Sequence, residues 1–351
     1  MRNFDGKEVY IIGEIGQNHN GSVDIAKLIV ELCSRPIVEA EFGMPLNRIN
    51  AVKLTKRDLK EELSDSQMNQ IYASPNAFGK TYGEHREFLE LSDEEHFEVY
   101  KYTKEKGLDF VETLCSIGCL SLLKLFQPDY LKVASRDLTN LPLLEVMAET
   151  KIPMILSTGM AGKRELDDAL DVITKQHDNI SILHCVSQYP THPDNLNLNT
   201  IKYLQNNYSD YSIGFSDHTI GIAAPIVAVG MGAQIIEKHI TIDRNMKGTD
   251  QAGSLGPDGV YRMVRDIRVT EKWMGKEELY IDKNVISAKN KLERSIATKV
   301  DLNAGDIIAE EHLHLLSPGD GFKWNEKDKL IGKTVASHIP KNEIIYSDLI
   351  K

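Results

Sequence analysis

The chain is expected to fold as a (β/α)8 barrel, a TIM barrel, followed by a small second domain. Three observations lead there. Its 351 residues exceed the about 250 that such a barrel takes. Eight short apolar runs alternate with helical stretches. After Gly275 that alternation stops, and from about Arg294 short apolar runs separated by turn signals take over.

The first strand is the β-branched and aromatic run Val9 to Ile12, ending in Gly13-Glu14; Ser22 then caps a helix from Val23 to about Cys33. The unit recurs with AVKL at 51–54, LDFV at 108–111, YLKV at 130–133, PMIL at 153–156, ISIL at 180–183, YSIGF at 211–215 and QII at 234–236. Between the second and third runs, Ser92 and Glu95 form a capping box and Gly107 stands where a C-terminal cap belongs. Repeated β-α units imply parallel strands joined by right-handed crossovers, and eight is the number that closes a barrel. An open, doubly wound sheet is the alternative.

Two segments break the rhythm. Ser34 to Asn50 lengthens the first connection, and Lys56 to Leu91 makes a long loop over the face where barrel enzymes keep their substrate loops. The expected domains are a barrel over 1–275, a linker over 276–293 and a C-terminal domain over 294–351. A domain of that last size is stable only marginally by its own core, so it is expected to dock on a barrel, its own or a partner's.

Hydrophobic residues make up 41% and charged residues 26%, as in ordinary globular proteins, and no apolar run approaches the ~20 residues that span a bilayer. The start, MRNFDGKEVYIIGE, lacks a signal-peptide pattern, so the cytoplasm is the expected location. Cys33, Cys115, Cys119 and Cys185 lie in or beside apolar stretches and read as buried free thiols. A net charge of −11 argues against nucleic acid or an acidic membrane as partner. Any anionic substrate must then be held by lysines gathered inside the fold.

The strand ends supply them. Glu14, Lys53, Thr113, Lys132, Ser157, His184, Ser216 with His218, and His239 close the eight runs, and in a barrel such positions converge on one pocket. His218 and His239 could share a divalent metal with other coordination positions open, although two histidines at this spacing are no closed zinc motif and can equally sit hydrogen-bonded in a polar loop. Lys53 and Lys132 would meet phosphate or carboxylate; Ser135, Ser157 and Ser216 offer donors to phosphate oxygens; Glu14 is a candidate acid or base. The set suits carbon–carbon bond formation between a phosphorylated enol and an aldehyde.

The motifs GEIGQNHNG, LKVASRDLTNLPLL, ILSTGM, HCVSQYPT, IGFSDHT and IEKHIT resemble those of the sialic acid (nonulosonic acid) synthases, in the same order and over nearly the whole chain. That resemblance implies a barrel followed by an antifreeze-protein-like (SAF) domain. It also implies condensation of phosphoenolpyruvate with an N-acetylmannosamine-type amino sugar and release of phosphate. It places the metal, manganese first with magnesium or cobalt as substitutes, on His218 and His239, and Glu14 near the sugar aldehyde. Lys53, Thr113, Lys132, Ser135, Ser157 and Ser216 become phosphoenolpyruvate ligands. Asp137, Ser187, Tyr189, Glu237, Asp250 and Asn76 fall on further site positions, and a homodimer with swapped C-terminal domains is implied. The segment FGKTYGEHREFLELS resembles the animal-type synthases that use the sugar 6-phosphate, which makes Lys80, His85 and Arg86 a candidate phosphate cluster. Thr55, Gln251 and Ser317 depart from the bacterial pattern, which leaves the sugar open: N-acetylmannosamine or its 6-phosphate, or a legionaminic, pseudaminic or deaminated type. Other barrel synthases of the same chemistry, and a catalytically silent sugar-binding barrel, are the rival readings.

Overall fold

The structure is a computed structural model and describes residues 8–40 and 43–351. Residues 1–7, the start of the segment expected to lack a signal-peptide pattern, and 41–42, within the long first connection, lie outside the described residues. The chain divides into two compact units, Met1–Gly275 and Lys276–Lys351.

The first unit opens with β1 (Tyr10–Glu14) and α1 (Val23–Ser34). Ser22 accepts a hydrogen bond from the Ile25 amide and so caps α1, worth about 1 kcal/mol. Ala26, Ile29, Val30 and Cys33 recur at helical spacing and are buried against the barrel wall. A charge at Ile29 would therefore undo the docking of α1. The long first connection forms a small antiparallel hairpin, β2 (Ile37–Glu39) with β3 (Met44–Leu46), which its composition did not announce. Next come β4 (Ala51–Lys56), the short helices α2 (Leu59–Glu62), α3 (Asp65–Met68) and α4 (Tyr82–Leu89), and then α5 (Asp93–Glu105). The segment expected as one long loop thus carries three short helices, started by the N-caps Asp58, Ser64 and Thr81. Ser92 and Glu95 form the expected capping box, and Gly107 ends α5 at φ +69°.

The remaining strands are β5 (Asp109–Leu114), β6 (Tyr130–Val133), β7 (Met154–Ser157), β8 (Ile180–Cys185), β9 (Ser212–Asp217) and β10 (Ile235–His239). A 3-10 helix, Gly118–Lys124, crosses from β5 to β6. The later crossovers are α6 (Leu141–Glu149), α7 (Lys163–Ile173), α8 (Thr200–Asn207) and α9 (Ala223–Gly230), and α10 (Pro257–Trp273) follows β10. All eight barrel strands are parallel and close in the order β1-β10-β9-β8-β7-β6-β5-β4, so the barrel holds and the open sheet is excluded.

Strand alternation decides what fills the barrel. Tyr10, Ile12, Ala51, Val111, Tyr130, Ile155, Leu183 and Ile235 form one buried cluster inside it. Two residues further along each strand come Glu14, Lys53, Thr113, Lys132, Ser157, Cys185 and Glu237, the next inward layer. Gly214 completes the apolar layer, where an added Cβ would stand 2.5 Å from the Ile235 carbonyl oxygen and 2.6 Å from Leu183.

In the second unit, α11 (Ile286–Leu292) occupies part of the expected linker. A two-stranded antiparallel sheet, β11 (Ser295–Thr298) with β12 (Leu313–Leu316), packs with 3-10 turns around Ile296, Leu302, Ile308, Leu313, Leu330, Val335, Ile339 and Ile345. Among the described residues no helix is long and apolar enough to cross a membrane.

Candidate active site

At the C-terminal end of the barrel strands lies a cavity of about 380 Å³. Glu14, Lys53, Thr113, Lys132, Ser135, Ser157, Ser187, Tyr189, Ser216, Glu237, Asp250, His218 and His239 all line it. Three expectations fail. Asn76 and Asp137 do not line the cavity: Asn76 gives its amide N–H to Ser74 Oγ within the loop, and Asp137 faces Arg136 at 3.3 Å. His184 points out of the barrel, hydrogen-bonded to the Leu196 carbonyl at 2.8 Å and against the Phe215 ring. β8 runs on to Cys185, so that residue takes the inward position.

Register sets the floor. Glu14 stands level with Lys53 on one side and His239 on the other. The Lys53 ammonium lies 2.7 Å from Glu14, 3.8 Å from Glu237 and 3.3 Å from the Thr113 hydroxyl. Lys132 donates to Ser157 Oγ at 2.5 Å and to the Val133 carbonyl at 2.9 Å, while Ser216 donates to Glu237 at 2.8 Å. Both lysines and both glutamates are buried, so their charges interact through little water. Burial pushes the Glu14 carboxyl up, and Lys53 only partly opposes it. For Glu237 burial acts the same way but Lys132 and Lys53 outweigh it, holding the carboxylate well below its ordinary range. Burial lowers Lys132. Two neighbouring carboxyls pushed apart in this way suit one proton donor and one fixed anion.

The two imidazoles lie side by side, ring centroids 5.6 Å apart, with Tyr189 packed 3.9 Å from His218 and 5.9 Å from His239. His218 donates its Nδ1 hydrogen to the Val186 carbonyl at 2.8 Å, which leaves Nε2 with a free lone pair. His239 Nδ1 is buried without a hydrogen-bond partner. Burial, then the neighbouring His239, lowers His218 to about 4; burial lowers His239 as well, so both rings are neutral at physiological pH. Gly16, at φ +51°, opens the space beside them: an added Cβ would lie 3.0 Å from Glu14 Oε1 and 3.3 Å from the His239 ring. Behind the pair, the Lys238–Asp217 ion pair at 2.5 Å is buried and ties β9 to β10 at the positions next to the histidines. Among the described residues no group of three or more His, Cys, Asp and Glu side chains gathers to hold a metal. Two imidazoles would thus leave any ion open to substrate and water.

The cavity also takes residues that strand-end reading missed. Thr55, Arg57, Tyr72, Tyr82, Cys115, Arg136 and Cys185 also line the cavity. Thr55, Arg57, Cys115 and Cys185 continue the two-residue alternation of β4, β5 and β8, a signal present in the sequence. Tyr72 and Tyr82 depend on how the loop folds back. Of the Lys80, His85 and Arg86 cluster, Lys80 does not line the cavity. His85 lines it, but its Nδ1 accepts from the Phe78 amide and burial lowers its pKa, so it brings no charge. Arg86 alone remains as a cation there, its Nε donating to the Tyr82 hydroxyl at 2.9 Å.

Comparison with known proteins fits this geometry. The NeuB family model matches residues 46–279 and the SAF domain model residues 293–351. The chain belongs to the NeuB family. It is 30% identical to human N-acetylneuraminate-9-phosphate synthase, covering 97% of this chain and 92% of that protein. It is 31% identical to N,N'-diacetyllegionaminic acid synthase of Legionella pneumophila, over 94% of this chain and 91% of that one. Among solved structures it is similar to the N-acetylneuraminic acid synthetase of Leptospira borgpetersenii in complex with citrate, with TM-score 0.67 and 29% identity over 81% of this chain and 90% of that one. A NeuB-type barrel followed by a SAF domain is therefore the architecture of the chain.

Proposed function

We propose that this NeuB-family enzyme is a nonulosonic acid synthase, condensing phosphoenolpyruvate with a six-carbon amino sugar of the N-acetylmannosamine type and releasing phosphate. The observation that carries the reading is the floor of the cavity: two buried lysines, two buried glutamates of opposite protonation tendency and two neutral imidazoles on adjoining strand ends. The similarity to synthases of N-acetylneuraminate 9-phosphate and diacetyllegionaminic acid supports the substrate class.

C3 of the enol phosphate attacks the aldehyde carbon of the open-chain sugar; water adds at C2, and phosphate departs with cleavage of the C–O bond. Lys53 and Lys132, with Thr113, Ser135, Ser157 and Ser216, bind the enol phosphate and fix its face. Glu14 keeps a proton toward neutrality and delivers it to the aldehyde oxygen as that oxygen gains charge. Glu237, accepting from Ser216, stays anionic and holds Lys53 and Lys132 charged. Tyr189 packs over His218 and walls off the sugar side. His218 and His239 fit a divalent ion, manganese first with magnesium or cobalt as substitutes, because both are neutral and each offers a nitrogen without a hydrogen-bond partner. Such an ion supplies Lewis-acid polarisation of the aldehyde.

The acceptor we assign first is N-acetylmannosamine 6-phosphate, then mannose 6-phosphate; the support is the animal-type loop sequence and Arg86 on the cavity wall. Ser317 stands where the bacterial synthases that the chain resembles carry an arginine, and a short, uncharged side chain does not replace one. Function is tested by phosphate release from phosphoenolpyruvate with a panel of aldoses and their 6-phosphates, where no release with any acceptor would end the synthase reading. A homodimer with exchanged C-terminal domains belongs to the proposal, and a fully active monomer in light scattering would remove it.

A further inference from the structure

Two arginines on the cavity wall have no part in the chemistry above. Arg57 follows the end of β4 and Arg136 follows Ser135. Glu62 Oε1 accepts from Arg57 Nη1 at 2.9 Å and lies 2.9 Å from Arg136 Nη1 as an ion pair, so the two guanidinium groups are neighbours. Glu90 stands 3.6 Å from Arg57 Nε and Asp137 3.3 Å from Arg136 Nε. Arg57 and Arg136 line the cavity; Glu62, Glu90 and Asp137 do not. The carboxylates thus brace the forks from behind, and the cavity meets cations.

The bracing is incomplete. Arg57 Nε, 3.6 Å from Glu90, and Arg136 Nη2 are buried and make no hydrogen bond, so donors remain for an oxygen to meet. On the floor below, with Glu14 keeping its proton toward neutrality, Lys53 and Lys132 face the Glu237 carboxylate, so the floor brings about one net positive charge to a multiply charged anion and leaves the rest to be met elsewhere. Burial also raises Glu90 to about 7, against the pull of Arg57, so near neutrality the brace gives up part of its negative charge. A pair of planar donor forks with open positions matches the oxygens of a phosphoryl or carboxylate group better than those of a neutral sugar.

We infer that Arg57 and Arg136 form a second oxyanion subsite of the reaction cavity, beside the lysine floor, which takes a phosphoryl or carboxylate group of one of the two substrates. The assignment of those substrates rests on the synthase reading; the subsite itself does not. The group comes either from phosphoenolpyruvate or from an acidic substituent on the acceptor sugar, and the two sources separate in measurement.

The experiment is calorimetric titration of the intact chain with inorganic phosphate and with phosphoenolpyruvate, no sugar present, for the wild type, Arg57→Met and Arg136→Gly. Initial rates with a free and a 6-phosphorylated aldose accompany it. Each substitution is expected to weaken anion binding about tenfold, and the two to be non-additive because they share one brace. Weakened phosphoenolpyruvate binding assigns the subsite to that substrate. Unchanged phosphoenolpyruvate binding, with KM rising about tenfold for the phosphorylated aldose alone, assigns it to the acceptor. Arg57→Lys and Arg136→Lys keep the charge next to Glu62, stand in for any neutral variant that does not fold, and are expected to fall between it and the wild type. Folded variants whose anion affinities and KM values all stay within twofold of the wild type overturn the subsite. Absence of phosphate release by the wild type would remove the synthase reading and leave the phosphate titration as the test of the arginines.

Discussion

The floor of the cavity and its rim are built by different means. On the floor every charged group rides on a barrel strand, and backbone register sets its height: Glu14 level with Lys53 and His239, Thr113 with Lys132, Glu237 with Ser216. At the rim, the excursion between β4 and α5 places its side chains by local devices. Thr81 and Glu84 form a capping box that starts α4, and Phe78 stacks on Phe88 at 4.5 Å while Tyr72 meets His85 at 4.7 Å. Hydrogen-bonded strands tolerate no gradual drift, so groups that must meet a transition state belong on the floor. A loop can change its residues without disturbing the barrel, so discrimination among acceptors belongs at the rim. Substitution should therefore divide the cavity into a turnover half and a KM half.

The largest effect is expected at the histidines. His218→Ala or His239→Ala should lower turnover at least ~100-fold with the fold intact, and chelation should abolish it, since Lewis-acid polarisation contributes several kcal/mol. Full activity of a chelated sample would break the metal assignment. Next come the lysines: Lys53→Met and Lys132→Met should each depress kcat or raise KM for phosphoenolpyruvate roughly tenfold or more. Their double-mutant cycle should show coupling above about 0.5 kcal/mol, because both charges face one anion. Small, additive effects would move them out of the binding role.

Glu14 gives the pH dependence. Its carboxyl is raised in the folded protein, so the protonated form persists toward neutrality and is lost as pH rises through that raised value. The wild type should lose kcat on that alkaline limb. Glu14→Gln, slower at every pH, should lack the limb. An identical alkaline fall in both proteins would take Glu14 out of proton transfer.

The contrast between floor and rim also explains what could be read without coordinates. Eight apolar runs with period-two alternation were enough to close the barrel and to bring Glu14, Lys53, Thr113, Lys132, Ser135, Ser157, Ser216, His218 and His239 to one cavity; Ser187, Tyr189, Glu237 and Asp250, which also line it, came from the family resemblance. The error at His184 came from stopping β8 one turn of the alternation short, since Cys185 carries the inward position. Arg57 and Thr55 were accessible by the same rule. Asp137 and Asn76 failed for a different reason: neither lies on a strand whose period fixes its direction, and local contacts, with Arg136 and with Ser74, turn them away from the cavity. The helices α2 to α4 were hidden because two of them are a single turn long, too short for periodicity, and only their N-caps marked them. The positions on the floor were legible because a lattice of backbone hydrogen bonds imposes them; the rim was not, because side-chain packing inside the excursion, such as Phe78 on Phe88 and Tyr72 on His85, follows no period.

The smallest effect, and the one that bears most directly on the acceptor, is expected at Arg86. Its guanidinium lies over the Tyr82 ring at 5.1 Å and donates to that tyrosine's hydroxyl, so its position is held by contacts within α4 and, among the described residues, by no carboxylate. That leaves its charge available to an anion entering the cavity, screened by water at the rim. If the acceptor carries a 6-phosphate, Arg86→Ala should raise KM for the phosphorylated sugar about three- to tenfold, equal to roughly 0.6–1.4 kcal/mol, and leave the free sugar and kcat unchanged. The floor substitutions should instead lower turnover with both sugars alike, because they act at the reacting carbons. Measuring kcat/KM for each sugar and its 6-phosphate in the wild type and in Arg86→Ala therefore tests the division itself. A wild type that prefers the free sugar, or a diacetamido-trideoxyhexose, would show that the animal-type loop does not read a phosphate here, and Arg86 would then serve only to hold Tyr82.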